Sequence, residues 1–230
     1  MLLEIIATTV KDAVMAERGG ADRIELITAV REGGLTPSLA LIERVRESVT
    51  IPVRVMVRPH ARSFRYDEED IEVMRRDITH IGSVGGLGIV IGMLQHDRTV
   101  DEENLRTLLH AADGMEVTFH RAFDEVRNQP EALKVLSQYP EITDILTSGG
   151  AATAPEGADQ LAKLNSLAAG QSLAILAGAG LTEHNLEAFL QQSGVRRVHF
   201  GSAVRVNGDP LMLIDMERLK AIRAILNSSK

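Results

Sequence analysis

Eight short apolar segments, each followed by a longer amphipathic one, constrain the fold of this chain more than any other feature of its sequence. The short segments are rich in Val, Ile and Leu, as expected for parallel strands that are buried on both faces. They recur at spacings of roughly thirty residues, which suits the strand-plus-helix unit of a barrel. The segments are residues 2–7, 23–27, 52–57, 88–93, 115–120, 144–148, 173–178 and 195–201.

Helix-start signals follow the predicted strands. Ser38 is a favourable N-cap for a helix over Leu39–Ser48, because its side-chain oxygen can accept a backbone N–H bond. Acidic residues at 67–70 favour the start of the next helix through their interaction with the helix dipole. Apolar residues at helical spacing from Leu213 onward predict a last helix over roughly 210–226.

The pattern predicts an α/β protein with a single (β/α)₈ TIM-type barrel, formed by one domain over residues 1–230. The alternative is an open doubly wound sheet, which also alternates strands and helices but rarely needs eight units of such even spacing. No linker, low-complexity tract or change in composition divides the sequence. The loosest stretch, residues 151–157, is predicted to be a loop between the sixth strand and its helix.

Composition limits the partners and the compartment. A formal net charge of −7 argues against a general nucleic-acid or acidic-membrane surface. The first residues lack the basic region of a signal peptide, and no apolar stretch approaches the ~20 residues that a membrane span needs. We therefore expect a cytoplasmic protein that has neither nucleic-acid nor membrane partners.

Charged side chains inside the predicted strands mark a candidate site. Strand one carries Glu4, strand two carries Arg23 and Glu25, and strand three carries Arg54 and Arg58. Because side chains alternate along a strand, the members of each pair share a face. A charge in a strand buried on both faces must be paired or must line a wet pocket. These residues thus predict either a catalytic network or an ion-pair layer that only fixes packing.

The segment His-Arg-Ala-Phe-Asp at 120–124 is the sharpest short motif. In a functional site, His120 would transfer a proton, and the carboxylate of Asp124 or Glu25 would orient its imidazole ring. The alternative is a salt bridge between Arg121 and Asp124 in a loop, with His120 as a hydrogen-bonded wall of a pocket. The spacing names no reaction. The predicted catalytic residues are His120, Asp124, Glu25 and Glu4.

Glycines cluster at the ends of the late predicted strands. Glycine lets backbone N–H groups approach an anion, and the ends of strands seven and eight are the common phosphate site of this fold. The alternative is turn geometry, since glycine adopts positive φ easily. With nearby arginines, these glycines predict a pocket for a small anionic ligand, phosphate esters included. The predicted substrate-binding residues are Arg23, Arg58, Arg121, Ser148, Gly149, Gly178, Gly180, Gly201 and Ser202.

The sequence offers few metal ligands. It contains no cysteine, which excludes disulfides, thiolate metal sites and a cysteine nucleophile. Cu(I) prefers thiolate or thioether ligands, so only methionines remain for it. Met56 and Met93 lie in apolar runs, where methionine is more typical of core packing. We expect no dedicated metal site from these residues.

Eight segments of the sequence, in order from strand one to strand eight, together carry a family resemblance. They are residues 3–5, 21–26, 32–38, 58–59, 118–124, 146–150, 177–180 and 199–202. They resemble the successive signature segments of the CutC copper-homeostasis family, and the resemblance covers almost the whole chain. It implies a (β/α)₈ barrel and a cytosolic protein linked to copper homeostasis, through copper binding or trafficking, without an established reaction.

Two departures from the family pattern bear on copper. Many relatives carry cysteines near the ends of the first two strands, proposed as copper ligands, whereas this chain has Ile6, Ala7 and Ile27 there. The loop after residues 58–59 usually continues with an arginine and two glycines, but here residues 60–62 are His-Ala-Arg. Copper is thus implied by the resemblance and opposed by the missing thiols. The alternative function is a barrel enzyme that acts on a small anionic metabolite without copper. A homodimer suits such a barrel, although no sequence feature requires it.

Overall fold

In a computed structural model that describes residues 1–228, eight parallel strands close into a barrel in sequence order, as predicted. The first strand pairs with the last, which excludes the open doubly wound sheet. Residues 229–230, the end of the predicted domain, lie outside the described residues. The strands are β1 (Leu2–Ala7), β2 (Arg23–Leu26), β3 (Val53–Met56), β4 (Gly88–Ile91), β5 (Val117–Phe119), β6 (Ile142–Thr147), β7 (Ala174–Ala177) and β8 (Arg197–Phe200).

A helix follows each strand on the outside of the barrel. The helices are α1 (Val10–Arg18), α2 (Leu39–Ser48), α3 (Glu68–Val84), α4 (Glu102–Ala112), α5 (Gln129–Leu136), α6 (Ala158–Ala168), α7 (Leu186–Ser193) and α8 (Met216–Ser228). The predicted start of α2 is confirmed, since Ser38 Oγ accepts the N–H of Leu41 at 3.3 Å. The predicted loop at 151–157 lies between β6 and α6. Among residues 1–228, no helix is long and apolar enough to cross a membrane.

The last helix begins later than the sequence predicted. Ile214 forms an antiparallel bridge with Arg205, and the carboxylate of Asp215 accepts the N–H of Glu217 at 3.0 Å. These contacts hold the segment before Met216 outside the helix, and Leu213 is exposed. Helical spacing alone could not reveal a competing β-bridge.

Side-chain alternation divides each strand between the helical layer and the barrel interior. In β1, Leu3 and Ile5 are fully buried in the main core, which includes the inner faces of the helices. Glu4 and Ile6 belong to the other face, and Ile6 packs on a separate small apolar cluster that includes Met56. The barrel interior therefore combines charged groups with an apolar layer nearer the C-terminal ends of the strands.

The charged layer centres on Asp144 of β6, which is completely buried. Its carboxylate accepts hydrogen bonds from Arg23 at 2.9 Å, Arg54 at 2.7 Å and Arg197 at 2.6 Å. Arg54 also donates to Glu116 at 2.9 Å. A buried charge is tolerated when it is paired in this way. Part of the predicted network is thus a structural ion-pair layer, which was the alternative that the sequence left open.

Candidate functional site

A cavity of about 550 Å³ opens at the C-terminal ends of the strands, where this fold places its active sites. Ile6, Ile27, Met56 and Leu146 give it an apolar surface. Of the residues predicted from the sequence, Glu25, Arg58, His120, Arg121, Gly180, Gly201 and Ser202 line it. The others, namely Glu4, Arg23, Asp124, Ser148, Gly149 and Gly178, lie outside its lining.

Arg58 presents a buried positive charge that no carboxylate neutralises among residues 1–228. It lies two residues after β3, and its side chain is only 6% exposed. Nη1 donates to the carbonyl oxygens of Glu32 at 3.1 Å and Gly34 at 3.3 Å, and Nε has no partner among the described residues. The guanidinium stacks on the ring of Phe64, 4.7 Å from its centroid. Carbonyl dipoles satisfy some N–H groups but leave the charge uncompensated, so an anion in the cavity would be favoured.

His120 is a buried neutral imidazole beside this charge. Its ring lies 4.8 Å from that of Phe64, the residue on which Arg58 also stacks. Burial, followed by the positive charge of Arg58, lowers the pKa of His120 to about 3. Nδ1 accepts the backbone N–H of Ala122 at 3.1 Å, so the proton of the neutral ring resides on Nε2. Nε2 is buried and has no partner within residues 1–228, so this donor is unsatisfied.

Gly92, just after β4, makes room for that ring. A Cβ atom at this position would lie 2.4 Å from Nδ1 of His120 and 2.5 Å from Cε1. Any side chain would therefore push the imidazole out of its place. Gly92 was not predicted from the sequence, because its function depends on a neighbour that lies 28 positions along the chain.

Asp124 does not orient His120, contrary to the expectation from the sequence. Its carboxylate accepts the N–H groups of Ser148 and Gly150, both at 3.1 Å, and the hydroxyl of Thr147 at 2.5 Å. It also accepts Nε of Arg121 at 2.7 Å, which is the loop salt bridge that the sequence left as the alternative. The backbone of residue 122 is what fixes the ring of His120.

The glycine cluster after β6 therefore binds a group of the protein itself. The amides of Ser148 and Gly150 are occupied by Asp124, and the amide of Gly149 donates to Thr147 Oγ1 at 2.9 Å. These N–H groups are not free to bind an external anion. A turn with several free amides binds a carboxylate as readily as a phosphate. The sequence could not show whether a side chain of the protein or an external anion would bind these amides.

The later glycines have different roles. The amide of Gly178 donates to Thr147 at 3.1 Å, and a Cβ there would lie 2.8 Å from Leu146 Cδ1, so this glycine serves close packing. Gly180 adopts a φ of +71° and lines the cavity, as do Gly201 and Ser202. The divergent loop at 60–62 does not reach the cavity lining.

A second polar group lies on the other wall, formed by β8, β1 and β2. His199 Nδ1 lies 2.8 Å from Glu4 Oε1, and His199 Nε2 lies 3.8 Å from Glu25 Oε2. Glu4 Oε2 accepts Nε of Arg23 at 2.5 Å. Glu25 and His199 line the cavity, while Glu4 and Arg23 lie behind them. Arg23 is thus paired within the barrel interior rather than exposed to a ligand.

The electrostatics of this group follow from burial and pairing. Burial alone would raise the pKa of Glu4, but Arg23 and then the hydrogen bond with His199 lower it to about 2. Burial raises the pKa of Glu25 to about 7, and within the described residues no hydrogen bond to Oε1 compensates for the lost hydration. The pKa of His199 is raised although burial opposes this, since Glu25 and Glu4 favour its charged form. His199 was not among the residues predicted from the sequence, since only the pairing of β1 with β8 places it level with Glu4.

Glu4, Glu25 and His199 are also, among residues 1–228, the group of three potential metal ligands whose donor atoms lie within 4.8 Å of one another. Their other contacts do not suit a cation. Both oxygens of Glu4 already accept bonds, and the charge of Arg23 lies directly against them. The repulsion from this guanidinium would offset much of the attraction between a dication and the carboxylates.

Comparison with known proteins identifies the relatives of this chain. The model of the CutC family matches residues 1–204. A family protein CutC from Salmonella schwarzengrund is 42% identical over 203 residues, which cover 88% of this chain and 80% of the relative. A family protein CutC from Salmonella agona is 41% identical over the same length and coverage.

Solved structures show the same barrel. A CutC protein from Streptococcus agalactiae, whose name assigns it to copper homeostasis, superposes with a TM-score of 0.81 at 28% identity, covering 86% of this chain and 97% of that one. Phosphoribosyl anthranilate isomerase from Thermotoga maritima gives a TM-score of 0.66 at 14% identity, with 99% of each chain covered. The second likeness shows a shared fold alone.

Proposed function

Because the chain belongs to the CutC family, whose name specifies no reaction, we propose that it is a barrel enzyme that binds a small organic anion in its C-terminal cavity and acts on it without copper. One observation carries this proposal. Among residues 1–228, the buried guanidinium of Arg58 pairs with carbonyl oxygens and with no carboxylate, and beside it Nε2–H of His120 is unpartnered. A positive charge and a neutral donor on one wall complement a carboxylate or a phosphate.

The rest of the cavity suits an organic ligand. Its apolar surface, which includes Ile6, Ile27 and Met56, can cover a carbon skeleton. A volume of about 550 Å³ falls within the roughly 300–1,000 Å³ that is usual for metabolite sites. Small inorganic ions would leave most of this space unfilled.

We assign supporting roles to the other predicted residues. Arg121, whose side chain is about 42% exposed, and the segment at Gly201–Ser202 are proposed to contact the outer part of the ligand. Gly180 is proposed to give the ligand access to the backbone after β7. Asp124 acts indirectly, by fixing Arg121 and the loop after β6.

Copper fits this cavity poorly. Cu(I) requires soft sulfur ligands, and the chain has no cysteine. Met56 contributes the thioether of the cavity lining, where it packs with Ile27 and Val90. Met93 is completely buried in the main core. We therefore expect the metal-free protein not to compete for Cu(I) with a chelator of known affinity, and tight one-to-one binding would favour copper binding or trafficking instead.

The proposal is tested with five probes: inorganic phosphate, dihydroxyacetone phosphate, glycerol phosphate, pyruvate and lactate. Thermal unfolding of the wild type is recorded with and without each probe. A ligand at 100 times its dissociation constant stabilises a protein by about 2.7 kcal/mol, so a specific probe raises the melting temperature measurably. We expect at least one organic anion to do so more strongly than inorganic phosphate.

Variants identify the site. Arg58→Met and His120→Asn should each abolish the stabilisation by the probe, and circular dichroism checks that both fold. Arg75→Met is the control, since Arg75 pairs with Glu72 on the outer surface of α3. If no probe stabilises the wild type, or if both site variants respond like the wild type, the assignment is wrong.

Two further expectations remain predictions. A cytoplasmic location is checked by fractionation of cells that express the protein at its natural level. A homodimer is checked by light scattering on the purified protein, where a mass near twice 25.0 kDa would support it.

A further inference from the structure

We propose that Glu25 and His199 form an acid–base pair that removes and returns a proton on a carbon next to a carbonyl group of the bound anion, while Nε2–H of His120 donates to the carbonyl oxygen. The inference rests on the proposed function and names its substrate class, an anionic carbonyl compound with a hydrogen on the neighbouring carbon. It rests on three geometric observations.

First, His199 is held with one nitrogen towards the cavity. Nδ1 bonds to Glu4 Oε1 at 2.8 Å, and Glu4 is itself fixed by Arg23 at 2.5 Å. A carboxylate behind an imidazole fixes its orientation and stabilises its protonated form. Glu4 is therefore a positioning residue, and Nε2 is the nitrogen left to exchange a proton.

Second, Glu25 is a buried carboxyl group whose oxygens are not satisfied. It is 2% exposed, and Oε1 has no hydrogen-bond partner in the part of the chain that the structure describes. Oε2 lies 3.8 Å from His199 Nε2, too far for a hydrogen bond. The charged groups that act on Glu25 are His199 on β8, Glu4 on β1 and Arg23 on β2. Burial without hydrogen bonds makes this carboxylate a stronger base than an exposed one.

Third, the pair and His120 stand on opposite walls. Glu25 and His199 belong to the two strands that flank β1, and His120 follows β5, which lies across the closed ring of eight strands from β1. A ligand held by Arg58 would lie between them. A carboxylate base opposite a neutral imidazole donor is a known solution for abstracting a proton next to a carbonyl.

The proposed step balances without a co-reactant. An oxygen of Glu25 takes the proton, the electron pair of the C–H bond forms a C=C bond, and the carbonyl π pair moves to its oxygen, which the Nε2–H of His120 stabilises. A side-chain movement that closes the 3.8 Å between Glu25 and His199 then lets the Glu25 carboxyl pass the proton to Nε2 of His199, whose imidazolium is stabilised by Glu4. Return of a proton to the same carbon restores the carbonyl compound, and in D₂O that proton is a deuteron.

The experiment follows deuterium incorporation by proton NMR in D₂O. Dihydroxyacetone phosphate and pyruvate carry a carbonyl, and glycerol phosphate and lactate are their matched alcohols. We expect the wild type to exchange a carbonyl probe above its background rate. Glu25→Gln should slow the exchange by about 100-fold or more, with the thermal stabilisation by that probe retained. Glu4→Gln should move the pH profile of exchange to lower pH, because His199 loses the carboxylate that favours its charged form.

Glu116→Gln is the control, since this largely exposed carboxylate pairs with Arg54 and does not line the cavity. It should exchange at the wild-type rate. A carbonyl probe that binds but does not exchange, exchange that survives in Glu25→Gln, or binding of the alcohols alone overturns the acid–base pair and leaves the proposed function standing. Exchange that EDTA abolishes and Mn²⁺ restores assigns the group to a metal and overturns it too. If no organic probe binds, the proposed function itself fails.

Discussion

Glu4 and His199 are register partners in the pairing of β1 with β8, and their side chains meet with His199 Nδ1 2.8 Å from Glu4 Oε1. Strand pairing sets both side chains at one level of the barrel and on its inner face. The bond therefore follows from the backbone register rather than from the flexibility of either side chain. One consequence is that Nε2 of His199 is directed away from Glu4, on the side of Glu25.

The charge of Glu4 makes stability depend on pH. Its pKa is about 2 in the folded protein against 4.5 for a free side chain, so its stabilising effect is complete above pH 4.5 and is lost as the pH falls towards 2. Glu4→Gln should lower the free energy of unfolding at pH 7 and remove this part of the acid dependence. Urea unfolding between pH 3 and pH 7 measures both effects. Curves for variant and wild type that stay parallel over this range would contradict the account.

His120 should stay neutral across the physiological range. Its pKa is lowered to about 3, first by burial and then by Arg58, so its ring should carry its proton on Nε2 at pH 5 and above. Nitrogen-15 NMR of labelled imidazoles reports the tautomer directly. Arg58→Met removes the nearby positive charge and should raise the pKa of His120, with burial still keeping it below 6.5. Titration of His120 near pH 6.5 in the wild type would refute this.

Gly92→Ala should disturb the site through His120. The added Cβ would lie 2.4 Å from Nδ1, and overpacking of this kind destabilises by about 1–3 kcal/mol. The displaced ring should also weaken binding of any probe that stabilises the wild type. Gly82→Ala is the matched control: Gly82 is exposed on α3, and its added Cβ would meet only the flexible end of Met115, at 3.2 Å, so the gain in helix propensity should leave stability close to that of the wild type or above it. Thermal unfolding with and without the probe separates the two effects.

Asp144→Asn should be strongly destabilising. It leaves Arg23, Arg54 and Arg197 facing a neutral amide, and removing one partner of a buried ion pair typically destabilises by about 3–5 kcal/mol. Asp97→Asn, which breaks an exposed pair with Arg127, should change stability little. The urea midpoints of the two variants test this contrast. Equal midpoints would show that the buried ion pairs of Asp144 contribute no more to stability than the exposed pair of Asp97.

Much of the site was accessible from the sequence because it depends on strand ends. The (β/α)₈ pattern places residues such as Arg58 and His120 at the C-terminal mouth, and both line the cavity. The inward positions of Glu4 and Glu25 follow from alternation. What each residue contacts was less accessible. Asp124 was expected to act on His120 but binds the amides after β6, because several N–H groups there attract a carboxylate.

The sequence by itself determined the barrel, its order of strands and the mouth at which the charged residues collect, since these depend on local periodicity and on the length of each repeat. The tertiary structure decided which charges cancel. Arg23 and Arg58 look alike in the sequence, yet closure of the barrel sets Arg23 between Glu4 and Asp144 and leaves Arg58 facing carbonyl oxygens. Arg23 and Asp144 are 121 positions apart in the sequence, and only closure of the barrel brings them into contact. No local sequence pattern can encode a contact over such a separation.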